Sequence, residues 1–165
     1  MKRTLFLVRH AKSSWLDPQL SDFERPLNDR GLSNAPFMGE FMRKNKLIPT
    51  LIVSSPAMRA RQTAEFFKEG GHFDAEIQFD PRIYEASMTT LRDVISEFPD
   101  RFERVMLVGH NPGMEGFVRY VSEQQETMPT AAVAVVDLDL RHWHDIDAGC
   151  CTLRHVYRPK ELTPA

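Results

Sequence analysis

Cysteine is scarce in this chain: of 165 residues only Cys150 and Cys151 carry thiols. Adjacent cysteines rarely bridge each other, so no disulfide framework is expected and a reducing cytoplasm is the simplest setting. No stretch approaches the ~18 apolar residues of a membrane span. The N-terminal Met1-Lys2-Arg3-Thr4 passes straight into a short strand-like run without a cleavage pattern, which argues against a secretory leader. Neither sign of charge prevails, with 21 Lys and Arg against 23 Asp and Glu and a net charge of −2. Lacking a basic field, the chain is not expected to bind nucleic acid. Repeats, low-complexity tracts and linker-like stretches are missing too, so residues 1–165 are expected to form a single domain with a substantial core.

What is present is a set of short apolar runs that end abruptly in polar residues. Thr4-Leu5-Phe6-Leu7-Val8 stops at Arg9-His10-Ala11-Lys12-Ser13, and Val105-Met106-Leu107-Val108-Gly109 stops at His110-Asn111-Pro112-Gly113. Such runs read as strands buried on both faces, the habit of parallel sheets. Further strands are expected at 51–53, 77–79, 132–138 and 152–157. Between them, helices are expected over about 29–44, from Ser55-Pro56 to Gly70-Gly71, over 89–98 and over 114–122. Asn28 is the expected N-cap of the first helix, and Pro36 is expected to kink or break it. Ser55 and Pro56 read as N-cap and first residue of the second. No helical pattern separates the last two strands. The fold class is therefore α/β: a three-layer sandwich, helices on both faces of a mostly parallel sheet, with an antiparallel edge strand.

In open α/β sheets the ligand crevice lies beyond the carboxyl ends of the strands. Parallel pairing of the two runs brings Arg9, His10 and His110 to one such edge. A neutral imidazole attacks phosphorus well, and phosphoryl transfer otherwise asks for positive charge and donors around the equatorial oxygens. Arginine matches phosphate bidentately and never loses its charge. A second arginine comes from Ser54-Ser55-Pro56-Ala57-Met58-Arg59-Ala60-Arg61. Arg59 and Arg61 lie roughly 200° apart around a helix, so only one enters the site, and Arg59 is the choice.

These residues resemble the histidine phosphatase superfamily, the phosphoglycerate-mutase-like fold, and within it the small SixA-type phosphohistidine phosphatases. The match rests on Arg9-His10-Ala11-Lys12-Ser13, Arg25-Pro26-Leu27, Asp29-Arg30-Gly31, Ser54-Ser55-Pro56 through Arg59, Gln62-Thr63-Ala64, and Gly109-His110-Asn111-Pro112. Ala11 departs from the commoner Arg-His-Gly signature. The resemblance implies phosphorylation of His10, a phosphate pocket completed by Arg9, Arg59 and His110, no metal and no other cofactor. It also implies one histidine phosphatase domain without a large cap insertion, hence an open pocket. Glu85, in Ile83-Tyr84-Glu85-Ala86-Ser87, stands where many members carry the acid that protonates the leaving group. An imidazole leaving group needs little such help.

Other residues carry two readings each. Arg25 either binds phosphate or pairs with Asp22 or Asp29 to order its loop. Lys12, Ser13 and Asn111 are either substrate donors or ordinary loop and turn residues. The spacing of His142-Trp143-His144-Asp145 is compatible with two metal ligands on one strand face, but no third ligand is nearby, so it reads as a solvated connection. Cys150 and Cys151 read as ordinary packing. The expected function is a metal-independent phosphatase acting on phosphohistidine of a partner protein. The alternatives are a broad-specificity enzyme for small phosphate esters and a non-catalytic phosphate-binding module.

Overall fold

The computed structural model describes residues 2–162. In chain order they form β1 (Lys2–Arg9), α1 (Asp29–Lys44), β2 (Leu51–Ser54), α2 (Met58–Gly71), β3 (Glu76–Phe79), α3 (Met88–Ser96) and β4 (Arg104–Gly109). Then follow α4 (Gly113–Ser122), β5 (Val133–Asp139), β6 (Cys151–Tyr157) and the short α5 (Pro159–Leu162). The strands make one sheet in the order β3-β2-β4-β1-β5-β6. β3, β2, β4 and β1 are parallel, whereas β5 runs antiparallel to both β1 and β6 at the other side.

Successive residues of a strand face opposite sides, so uninterrupted apolar strands must be covered twice. Leu5, Leu7, Val105 and Leu107 join a cluster with Leu91 and Ile95 of α3 and Phe117 of α4. Their alternates Phe6, Val8, Met106 and Val108 join Met38 and Met42 of α1 and Phe67 of α2. Each such side chain, fully buried, contributes roughly 1.5–3 kcal/mol of transfer free energy. The three-layer α/β sandwich follows from that two-sided burial.

Asn28 caps α1 as its sequence suggests, its side chain accepting from Gly31 N at 2.9 Å. Pro36 does not break the helix, which runs unbroken from Asp29 to Lys44. The carbonyl that a proline at this position deprives of its donor belongs to Leu32, an exposed residue of the helix. Here α1 and α2 approach to backbone contact. A Cβ on Gly70 would stand 2.1 Å from Pro36 O, and one on Gly39 would stand 2.2 Å from Phe67 O.

The 142–145 segment departs from its expected solvated character. Trp143 is fully buried and donates from Nε1 to Phe102 O at 2.8 Å, while the exposed His144 ring stacks on that of His142. An aromatic anchor inside a polar string is invisible to average hydropathy. Among the described residues no group of three or more His, Cys, Asp or Glu gathers to hold a metal. The two cysteines are half-buried and pack against the cluster under α3 and α4.

Candidate active site

β1 and β4 are central neighbours, Arg9 in register with Gly109. His10 and His110 therefore leave the carboxyl edge of the sheet side by side, ring centroids 5.1 Å apart and tilted by 52°. Each is 8 % exposed. His10 Nδ1 lies 2.7 Å from Ala11 O. A carbonyl only accepts, so Nδ1 holds the proton and Nε2 presents its lone pair. Burial is the main force that lowers the His10 pKa to about 4; the Ala11 bond opposes it, and the cations of Arg59, Arg9 and Arg25 add to it. His110 falls to about 3, first by burial and then through His10 and Arg59. Both shifts favour neutral rings at pH 7, which leaves a lone pair on His10 Nε2.

Arg9 donates from Nη1 to Met128 O at 3.1 Å. Arg59 enters from the first turn of α2 and is locked by Asp22: Nη1 to Asp22 O at 2.6 Å and Nη2 to Asp22 Oδ2 at 2.9 Å. Arg61 lies elsewhere, its guanidinium 4.6 Å from the Phe79 ring centre. Among the described residues, three buried side-chain nitrogens have no hydrogen-bond partner: Arg9 Nε, Arg59 Nε and His110 Nδ1. A buried donor left without an acceptor costs about 1–3 kcal/mol. All three belong to residues around His10, and the two arginine Nε atoms at least are donors that can take acceptor oxygens.

Asp22 is the residue the sequence reading underrated. It appeared there only as a partner for Arg25, yet it also receives Arg59 and, at 2.6 Å, the hydroxyl of Tyr84. These donors, Tyr84 foremost and then Arg59 and Arg25, hold its carboxyl well below the usual range. Tyr84 is pushed up to about 12, by burial and by that same bond; its ring meets His110 edge-on at 5.5 Å. The available signal was the Asp22–Arg25 spacing of three residues together with Tyr84 beside Glu85.

Arg25 is placed by its loop. It contacts Asp22 Oδ1 through Nε and Nη2, Ser13 Oγ at 2.7 Å and the face of Trp15 at 3.6 Å. The ion-pair reading with Asp22 thus describes its contacts, and Ser13 serves Arg25. The Lys12 side chain is exposed, while its carbonyl accepts from Asn28 N at 2.9 Å. Asn111 is turned to structure: Nδ2 donates to Glu115 Oε2 and Met128 O, and Oδ1 accepts from Glu115 N. Its bond to Pro112 is cis. Glu85 is exposed and sits at φ 54° in the left-handed region. It lines a cavity of about 530 Å³ together with Asp22, Arg59, Ser87, His110 and Gly113.

α2 also fastens the loop that follows His10. Thr63 Oγ1 accepts from Ala11 N at 2.9 Å and donates to Arg59 O at 2.7 Å. Gln62 Oε1 accepts from Leu27 N at 2.8 Å. Gly31 meets the same loop so closely that a Cβ there would stand 2.2 Å from Lys12 O. Ser55 does not cap α2, whose first residue is Met58 and whose N-cap is Ala57. Its hydroxyl accepts from Ala57 N at 3.2 Å and lies 2.8 Å from His110 Nε2. The serine-proline signal is real, but it shapes the turn before the helix.

The family model of the histidine phosphatase superfamily (branch 1) matches residues 5–122. An uncharacterised protein of Mycobacterium tuberculosis is 30 % identical over 164 residues, covering 93 % of this chain and all of that protein. A crystal structure from Agrobacterium tumefaciens, described as that of "the putative phosphohistidine phosphatase SixA", superposes with a TM-score of 0.82 at 28 % identity, over 95 % of this chain and 98 % of the other. The protein histidine phosphatase SixA complexed with tungstate has the same fold, with a TM-score of 0.79 at 23 % identity over 97 % and 99 % of the two chains. This chain thus belongs to the histidine phosphatase superfamily and is of the SixA type.

Proposed function

We propose that the chain is a phosphatase working through a phosphohistidine intermediate on His10, with protein phosphohistidine as its substrate. The observation that carries this reading is the trio of buried unpartnered donors, Arg9 Nε, Arg59 Nε and His110 Nδ1, beside a neutral imidazole whose Nε2 is free. Nε2 forms the bond to phosphorus as the bond to the leaving group breaks. The three donors meet the oxygens on which charge builds, and Arg9 and Arg59 supply the positive charge, so no metal is called for. Because Nδ1 keeps its proton on the Ala11 carbonyl, the phosphorylated ring is cationic. Water then attacks phosphorus, the P–N bond breaks, and His10 departs as neutral imidazole while inorganic phosphate and a proton go to solvent.

A phosphohistidine substrate releases an imidazole, which leaves readily and takes its proton from solvent. The SixA relatives support this substrate class, as does a chain with little spare sequence to cover the pocket. A second reading, hydrolysis of small phosphate esters, is favoured by Glu85 at the rim of the cavity, where a carboxylic acid can protonate an alkoxide. Either way the nucleophile is testable by trapping. Brief exposure to a labelled phosphodonor with an alkaline quench should leave acid-labile phosphate on the wild type and none on His10→Ala. Turnover without any labile phosphate on the wild type would refute the covalent route. Comparing phosphohistidine proteins with sugar phosphates at equal concentration then separates the two substrate classes.

A further inference from the structure

The donor that His110 offers depends on which of its ring nitrogens carries the proton, and a neutral imidazole has only one to place. If Nδ1 carries it, that buried unpartnered atom is a donor. If Nε2 carries it, Nδ1 presents a lone pair to any oxyanion and repels it. The surrounding bonds decide the matter. Among the described residues the ring has one side-chain hydrogen bond, between Nε2 and Ser55 Oγ at 2.8 Å. Ser55 is fully buried, and its Oγ already accepts the Ala57 N–H at 3.2 Å. Its hydroxyl proton must therefore go to an acceptor, and among the described residues His110 Nε2 is the one within bonding distance.

We infer that Ser55 is a positioning residue that donates to His110 Nε2 and so fixes His110 as the Nδ1–H tautomer. The backbone makes this placement rigid. Ser55 N donates to Val108 O at 3.0 Å, tying the end of β2 to β4 two residues before His110. Ser54 Oγ donates to Ser55 O at 2.9 Å on the other side. The serine thus sits at a fixed point between the sheet edge and the first turn of α2, and the ring is oriented before any substrate arrives. The two imidazoles of the site then share a tautomer for opposite ends: Nδ1–H of His10 is held by a carbonyl to free Nε2 for attack, while Nε2 of His110 is occupied to free Nδ1–H for donation.

The inference rests on and deepens the reading of His110 as a hydrogen-bond donor to the phosphoryl oxygens, and it is tested without relying on activity. In a long-range 1H–15N spectrum of histidine-labelled full-length protein at pH 7, His110 should show a protonated Nδ1 and a bare Nε2. A spectrum with the proton on Nε2 overturns the inference outright, even if no variant folds. Ser55→Ala should shift His110 toward the Nε2–H form, and Ser55→Thr, which keeps the hydroxyl, should restore the wild-type pattern. An unchanged tautomer in a folded Ser55→Ala also overturns it. Orienting partners of this kind are worth on the order of ten- to a hundredfold in rate, so kcat should fall by that factor in Ser55→Ala and recover in Ser55→Thr. A tautomer shift with kcat unchanged upholds the role of Ser55 and refutes instead the part given to His110 Nδ1 in phosphoryl transfer.

Discussion

Neutral His10 should be measurable as a pH-dependent contribution to folding. Its ordinary pKa of 6.5 applies to the unfolded chain, whereas in the folded protein burial and the neighbouring arginines hold it near 4. Between those values the unfolded state binds the extra proton, so stability rises with pH. The contribution is complete above pH 6.5 and is lost as the pH falls toward 4. At pH 4.5 a little under two units of the gap have been crossed, and at 1.36 kcal/mol per unit the loss from His10 is ~2.5 kcal/mol. Urea unfolding at pH 7.0 and 4.5 measures this directly in the wild type and in His10→Gln, where the titrating ring is gone. The variant should lose ~2.5 kcal/mol less between the two pH values, with the same urea slope. Equal losses in the two proteins would refute the claim that His10 is held neutral by its surroundings. Unfolding is the cleaner assay here, because a phosphate ester itself gains a proton near pH 6 and blurs any acid limb in the rate.

Asp22→Asn keeps the size of the side chain but removes the charge that locks Arg59 and Arg25. The carboxylate is 43 % exposed, so the loss should be modest, about tenfold in kcat/KM. Thermal midpoint should scarcely move; a large drop in stability with normal kinetics would make Asp22 merely structural. Glu85→Gln should slow hydrolysis of alkyl phosphates by about a hundredfold and that of aryl phosphates or phosphohistidine far less. Equal rates for wild type and variant on all three substrates would remove Glu85 from the chemistry.

How much of this was legible in the sequence differs between fold and site. The central strands were legible because their burial on both faces leaves uninterrupted apolar runs, whereas the parallel pairing of β1 with β4 was a supposition that the structure bears out. Arg59 could be separated from Arg61 by helical period alone. Asp22 escaped notice because its partners Arg59 and Tyr84 are distant in sequence, and a carboxylate in a polar loop looks like any other. Ser55 was misjudged for a related reason: a serine before proline signals a helix start, and nothing local says that its hydroxyl is engaged by a ring 55 positions away. Trp143 was hidden by the polar residues on either side of it. In each case the deciding contact is long-range, while the signal read from sequence was local.

Strand order has one more consequence. His10 directly follows β1, the first strand of the chain, and the sheet neighbours of that strand are β4 and β5, which come after three and four helices in chain order. Arg9 is held by Met128, 119 positions away. Closing loops of that length precedes any reward from the contacts they bring. Phosphatase competence therefore arrives only when the centre of the sheet is complete, and no fragment ending before β5 should turn over substrate. Regain of activity after dilution from denaturant becomes a clock for the last long-range step of folding, running behind the recovery of helical signal.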